Sequence, residues 1–308
     1  MEYENLQVSV IMPVYNGEKY IEQTLNSVLN CQNFSELEVI VINDGSNDGT
    51  KKILEKFSDQ IIILHQNNSG QASAINKGFA VAKGKYCSIV NSDDPILNPV
   101  LFKESVKILE MNQNLVATYP DWVIIDSEGN EIKRILVKEY SERELIGKFN
   151  CIIGPGGVFR TQKAIEIGGW DKSFRYVPDY DFWLRLSRFG EFKRIPKFLC
   201  AWRSHNDSIS VKHKGKEMAD ERIRVMENFV RHNKIANNIR KSGIAYAYHS
   251  AALLCFFDNR VQGRKFLLQA ILNYPLIVFK TSLKSNLFVT LYPLSKKITN
   301  VLKIEPKF

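Results

Sequence analysis

Cysteine is scarce in this sequence and follows no pattern: Cys31, Cys87, Cys151, Cys200 and Cys255 lie far apart, without a Cys-x-x-Cys pair. Such a set builds neither a disulfide framework nor a structural zinc site, and it fits a reducing compartment. Long apolar runs are lacking too. The longest charge-free, apolar-rich stretches, 242–257 and 266–279, contain Ser, His, Gln, Asn and Pro. They fall short of the roughly 20 residues that a spanning helix needs. The opening Met1-Glu2-Tyr3-Glu4-Asn5 has neither the basic nor the apolar region of a signal peptide. These absences predict a cytoplasmic protein with no integral membrane segment.

Acidic residues are in short supply in one part only. The 308 residues carry 42 Lys and Arg against 33 Asp and Glu, a net charge of +9. That excess alone would suit nucleic acid or an anionic membrane. Residues 209–308, however, hold 18 of the basic and 6 of the acidic groups, whereas 1–208 hold 24 and 27. The basicity belongs to the tail. An apolar content of 44% with 24% charged residues excludes collagen-like, low-complexity and disordered chains. The length suits a domain of about 200 residues with an appendage, and the charge shift puts the boundary near 210.

What is present in the first half is alternation. Strand-like runs at 7–14, 38–42, 61–64 and 86–90 are separated by helical patterns at 18–30, 51–57 and 71–82. This order predicts βαβ units around a mainly parallel sheet, with ligands bound beyond the C-terminal ends of the strands. Each strand exits into a polar loop: 13–17, 43–49, 67–70 and 91–94, with Asp44 and Asp93-Asp94 at two exits. Turn chemistry accounts for one such loop. Four on one rim point to a site. Further on, the pattern predicts a helix over 99–111, strands at 116–119 and 122–125, and helices at 142–149 and 179–189. From about 215 onward it is helical throughout.

Several segments resemble family 2 glycosyltransferases. They are "VSVIMPVYNG" at 8–17, "EVIVINDGSNDGT" at 38–50, "NSGQASAINKGFAVAKGKYCSIVNSDD" at 68–94, "GGWDKSFRYVPDYDFWLRL" at 168–186 and "WRSHNDSIS" at 202–210. The resemblance implies a GT-A fold, a Rossmann-like sheet flanked by helices, over 1–210. It also implies inverting transfer from a nucleotide sugar, with uridine as the expected base, to an acceptor hydroxyl. Mn²⁺ or Mg²⁺ would offset the charge of the leaving diphosphate. By the same resemblance Pro13, Tyr15, Asn16 and Asp44 line the base pocket. Gln71 and Asn76 hold the ribose-diphosphate side, Asp93 and Asp94 contact ribose and metal, Arg203 neutralises diphosphate and His205 approaches the metal. Asp179 is the general base that accepts the acceptor proton. Two positions depart from the family pattern: Asn91 and Pro178 stand where acids are usual.

In this reading Gly154-Pro155-Gly156-Gly157 lets backbone approach a sugar or simply enters a strand, and Trp170 stacks on a sugar or packs in the core. The tail, 211–308, is expected to be a helical hairpin at 242–279 followed by basic, apolar-rich sequence. It suits either a packed bundle or an anionic membrane surface, which a lipid-linked saccharide acceptor in cell-surface polysaccharide or glycolipid synthesis would make useful. Three rivals are weighed. A sugar nucleotidyltransferase needs a Gly-rich basic loop after the first strand, and "PVYNGEKY" has one Gly and one Lys. A nucleic-acid binder needs a basic groove, which the acidic sheet half does not offer. A catalytically impaired nucleotide-sugar-binding protein stays open because of Asn91 and Pro178.

Overall fold

The structure, a computed structural model, describes residues 7–33, 36–205, 215–255 and 259–281. It divides into two compact units, 1–145 with 151–212 and 146–150 with 213–308.

In the first unit, β1 (Val8–Val14) is buried at all seven positions. It lies between β2 (Leu37–Asn43) and β4 (Tyr86–Ile89), with β3 (Ile62–His65) outside β2, all four parallel. A central strand covered on both faces must be apolar at consecutive positions, and the sequence VSVIMPV supplies that. The crossovers are α1 (Ile21–Leu29), α2 (Thr50–Glu55) and α3 (Gln71–Phe79). Along α1 the buried residues Ile21, Thr24, Leu25, Val28 and Leu29 recur at helical spacing.

The second half of this unit completes a mixed sheet with α4 (Val100–Met111), β5 (Leu115–Ile125), β6 (Glu131–Ile135), β7 (Val158–Arg160), α5 (Thr161–Glu166), α6 (Pro178–Leu186) and β8 (Glu191–Arg203). β7 runs antiparallel between β4 and β5, β6 is antiparallel to β5, and β8 is parallel to β5. The two strands expected at 116–119 and 122–125 are one strand, β5, with register shifts around Pro120 and Asp121. A proline cannot donate to the ladder, so the strand bulges there. The helix expected at 142–149 is a single π-type turn, Arg143–Gly147. β8 was not anticipated.

An aromatic cluster seats α6 on the sheet. Phe159 on β7 lies 5.1 Å from Phe182 and 5.6 Å from Trp183, edge-on in both cases. Such pairs contribute about 0.5–1.5 kcal/mol each beyond area burial.

The second unit contains α7 (Gly215–His232), α8 (Asn237–Cys255), α9 (Arg260–Asn273) and α10 (Ile277–Lys280). Ala251 and Ala252 on α8 are fully buried with Ala219, Ile223, Phe266 and Leu267, and small residues permit that close approach. Asn259 caps α9 by accepting the Gln262 N–H at 3.1 Å. The expected tail sequence beyond 281 lies outside the described residues.

One buried ion pair ties β5 to β8. Asp121, 1% exposed, accepts Arg194 Nε at 2.8 Å and Nη2 at 2.6 Å, and the Val137 N–H at 3.0 Å. Removing only the guanidinium strands a buried carboxylate, so Arg194→Met is expected to cost about 3 kcal/mol in urea unfolding. Adding Asp121→Leu should recover most of that loss. A double variant no more stable than the single would contradict this account of β8.

Candidate active site

The four polar loops at the C-terminal ends of β1–β4 interlock. Asn16 stands at φ 52°, a conformation its short polar side chain tolerates. Its N–H donates to Ser46 Oγ at 3.0 Å, and its Oδ1 accepts the Asn47 N–H at 2.9 Å. The N–H of Gly17 donates to Thr50 Oγ1 at 2.9 Å, and that of Gly49 to Glu18 Oε2 at 2.6 Å. Pro13 is buried within β1, while Tyr15 projects from the rim, 50% exposed.

Asp44, buried at the end of β2, accepts Gln66 Nε2 at 2.7 Å, the Ser69 N–H at 2.8 Å and the Gly70 N–H at 2.9 Å. Its carboxylate thus fixes the loop that leads into α3. At the start of α3, Gln71 Nε2 donates to Asn91 Oδ1 at 2.9 Å, bringing Gln71 to the β4 exit. Asn76, one turn on, faces elsewhere. Its Nδ2 donates to Trp170 O and its Oδ1 accepts the Trp170 N–H, both at 2.8 Å. Gly169 has φ +69°, and a Cβ there would collide with Asn76 Oδ1, so only glycine fits this clamp.

The adjacent acids after β4 have different environments. Asp94 is 3% exposed. Its Oδ1 accepts the Arg203 N–H at 2.8 Å and its Oδ2 accepts Asn91 Nδ2 at 2.9 Å. Burial, and then the neighbouring Asp93 charge, raise its carboxyl above the usual range. Expected as a metal ligand, Asp94 faces inward with both oxygens engaged. Asp93 faces outward: its Oδ2 lies 2.8 Å from His205 Nε2, with its side chain 28% exposed. Asn91 makes chemical sense in this setting. An amide donates to Asp94 while accepting from Gln71, whereas a carboxylate at 91 would lose the donor and add a third negative charge.

Arg203, expected to meet diphosphate, is 1% exposed. Its Nε donates to Asp93 O at 3.0 Å, its Nη1 to Asp126 O at 3.1 Å and Ser127 O at 3.3 Å, and its Nη2 to Gln23 Oε1 at 2.7 Å. The guanidinium also lies 4.5 Å over the Tyr20 ring, which stands 5.2 Å from the His205 ring. Sequence reasoning missed Tyr20 and Gln23. Nothing in their local pattern signals a partner about 180 residues away.

Asp179 occupies the first turn of α6 and is exposed. Pro178 heads the helix, where a missing N–H costs nothing. Asp181, on the buried side, accepts Arg185 Nε at 2.8 Å and Nη2 at 2.5 Å. Burial raises its carboxyl despite the arginine. Arg185 in turn donates to Ile167 O at 2.7 Å and Gly169 O at 2.8 Å, so Asp181 steadies the 167–170 loop. No group of three or more His, Cys, Asp or Glu side chains that could hold a metal occurs among the described residues. The donor set at Asp93 and His205 fits a cation that completes its shell with phosphate and water.

Arg203→Lys keeps the charge but replaces a five-donor fork with a point ammonium. It is expected to lower stability by about 2–3 kcal/mol in urea unfolding. An unchanged midpoint would show that the buried guanidinium does not hold the loops.

Comparisons with known proteins bear on the family and the fold. The sequence profile described as glycosyl transferase family 2 matches residues 9–165, half of the chain. An uncharacterized glycosyltransferase of Rickettsia prowazekii is 34% identical over 188 residues, 59% of this chain and 58% of that protein. The hyaluronan synthase of Pasteurella multocida is 28% identical over 272 residues, covering 87% of this chain and 26% of the synthase. The chain thus spans well under two thirds of these relatives' lengths. Among solved structures, S. aureus TarS 1–349 in complex with UDP-GlcNAc superposes with TM-score 0.65 at 17% identity, covering 89% of this chain and 91% of that 1–349 chain. The mannosyltransferase PcManGT from Pyrobaculum calidifontis, in complex with GDP-Man and Mn²⁺, gives 0.59 at 15%, covering 97% and 88%. The fold is GT-A, with a mostly parallel sheet flanked by helices and a helical C-terminal region, and the chain belongs to glycosyl transferase family 2.

Proposed function

We propose that this glycosyltransferase is an inverting, metal-dependent enzyme that moves a sugar from a uridine diphosphate donor to an acceptor hydroxyl in cell-surface polysaccharide or glycolipid synthesis. The observation that carries the proposal is the split between the two acids after β4. Asp94 is locked inside, and Asp93 is presented outward beside His205 at the rim where four interlocked loops meet.

In this proposal Pro13, Tyr15, Asn16 and Asp44 surround the base, and Gln71 lies on the ribose side. Asn76 acts at a distance, by holding the 168–170 loop. Arg203 likewise acts through Asp93, whose backbone it fixes, with its own donors turned inward. Asp93 and His205 would hold Mn²⁺ or Mg²⁺ together with the diphosphate. When bound, the cation supplies positive charge to the departing diphosphate. Asp94 keeps Asp93 in place. Asp179, at a helix N-terminus that favours negative charge, takes the proton from the acceptor hydroxyl as its oxygen attacks the anomeric carbon opposite the diphosphate. A single displacement inverts the centre. TarS is solved with UDP-GlcNAc and PcManGT with GDP-Man and Mn²⁺, which supports a nucleotide-sugar donor and a divalent cation.

The second unit supports work at a cytoplasmic, anionic membrane face. On α9 and the turn after it, Val261, Leu268, Leu272 and Leu276 are 65%, 56%, 66% and 53% exposed. They are interspersed with Arg260, Arg264 and Lys265, and no acidic residue occurs between 259 and 304. An apolar stripe bordered by basic groups suits the headgroup region of an anionic bilayer. No helix among the described residues is long and apolar enough to cross a membrane.

Screening UDP-glucose, UDP-galactose and UDP-GlcNAc by calorimetry with Mn²⁺ tests the donor class. Asp93→Ala is expected to abolish the Mn²⁺-dependent part of the affinity, and equal affinity with and without the side chain would refute the metal role. Asp179→Asn should lose about a hundredfold or more in transfer while donor binding persists. That loss also separates an enzyme from a binding protein, because a binding protein would turn over no donor in either form. Leu268→Ser with Leu272→Ser should weaken co-sedimentation with phosphatidylserine vesicles, and wild-type sedimentation would count against membrane docking.

A further inference from the structure

The C-terminal ends of β5 and β8 alternate between two environments. Asp121, Val123 and Ile125, with Ala201 and Arg203, are buried, whereas Trp122, Ile124 and Trp202 are half-buried. A sheet face turned toward solvent is ordinarily polar. This one presents two indoles, 6.3 Å apart and nearly perpendicular at 77°. Neither Nε1 has a hydrogen-bond partner among the described residues, and neither is sealed from solvent as the Trp170 Nε1 is. An indole that keeps one face and its N–H available is suited to a ligand with an apolar face and a polar edge.

The surroundings say where that ligand would sit. The segment 151–157 crosses this face. A Cβ on Gly154 would lie 2.5 Å from Trp122 Nε1, so glycine there keeps the indole edge uncrowded. A Cβ on Gly157 would lie 3.0 Å from the Trp183 ring of α6. At the other end of the segment, Cys151 is exposed and close enough to the Asp179 carboxylate to feel its charge. The strip of backbone therefore links Asp179 to Trp122. Trp202 is followed directly by Arg203, which fixes Asp93, and by His205, which contacts it.

We propose that Trp122 and Trp202 form a sugar-binding platform on which a pyranose ring of the acceptor stacks, its CH face on an indole and a hydroxyl accepting an indole N–H, between Asp179 and the Asp93–His205 pair. The assignment to the acceptor rests on the transferase function proposed above. The platform as a sugar site rests on the β5–β8 face alone.

Indole ¹H–¹⁵N NMR of the full chain, with signals assigned by single Trp→Phe variants, tests it with methyl β-glycosides of glucose, galactose, N-acetylglucosamine and glucuronic acid as probes. Saturable shifts of the Trp122 and Trp202 N–H signals are expected, with Trp170 and Trp183 unmoved. Indifference of both platform signals to every sugar would overturn the site. Trp122→Ala or Trp202→Ala should weaken the best of these sugars about tenfold. Wild-type affinity in both variants would also overturn it. If an alanine variant does not fold, Trp122→Phe and Trp202→Phe, which keep the stack and lose the N–H, should still show partial weakening. Shifts that persist in a protein that binds and hydrolyses none of the three UDP-sugars would leave the platform standing and remove the proposed uridine-donor function instead.

Discussion

A buried guanidinium must find acceptors or unfold the region around it, and Arg203 finds them on three separate segments. It holds the carbonyl of Asp93 after β4, the carbonyls of Asp126 and Ser127 after β5, and Gln23 on α1, while covering the Tyr20 ring. Its own N–H closes the network on Asp94. Segments far apart in sequence are drawn to one point, and that point holds the backbone of Asp93. In the proposed function, the placement of Asp93 depends on this hidden charge.

The same logic explains the departures from the family pattern. Asn91 supplies the second donor that a buried Asp94 requires, which no acid could do while remaining ionised. Pro178 opens a helix at a position where its missing N–H is harmless, leaving Asp179 in the first turn. Neither substitution removes the outward carboxylates at 93 and 179. The charge distribution fits the same division: a mildly acidic first part carries the proposed cation site, and the basic residues gather in the last hundred.

The βα order of residues 7–111 was legible because period-2 and period-3.6 patterns are local. β8 was not, since EFKRIPKFLCAWR carries Pro196 and an irregular burial pattern against a bulged partner. Pro120 divided β5 for the same reason. Among the site residues, sequence placed Asp44, Asp93 and Asp179 at element ends, where the structure has them. It could not tell an outward carboxylate from an inward one, as at Asp93 and Asp94, because that choice is made by Arg203, more than a hundred residues downstream. Asn76 and Arg203 similarly looked like ligand contacts, since a polar residue near a loop carries no mark of the distant backbone it will bind.

The proposed chemistry comes down to one displacement at the anomeric carbon, with Asp179 taking the acceptor proton on the face opposite the diphosphate. Proton NMR of the anomeric coupling during turnover of an α-linked UDP-sugar reads this directly. A β-configured product is predicted from the first turnover. An α-configured first product would contradict the single-displacement account and the role it gives Asp179.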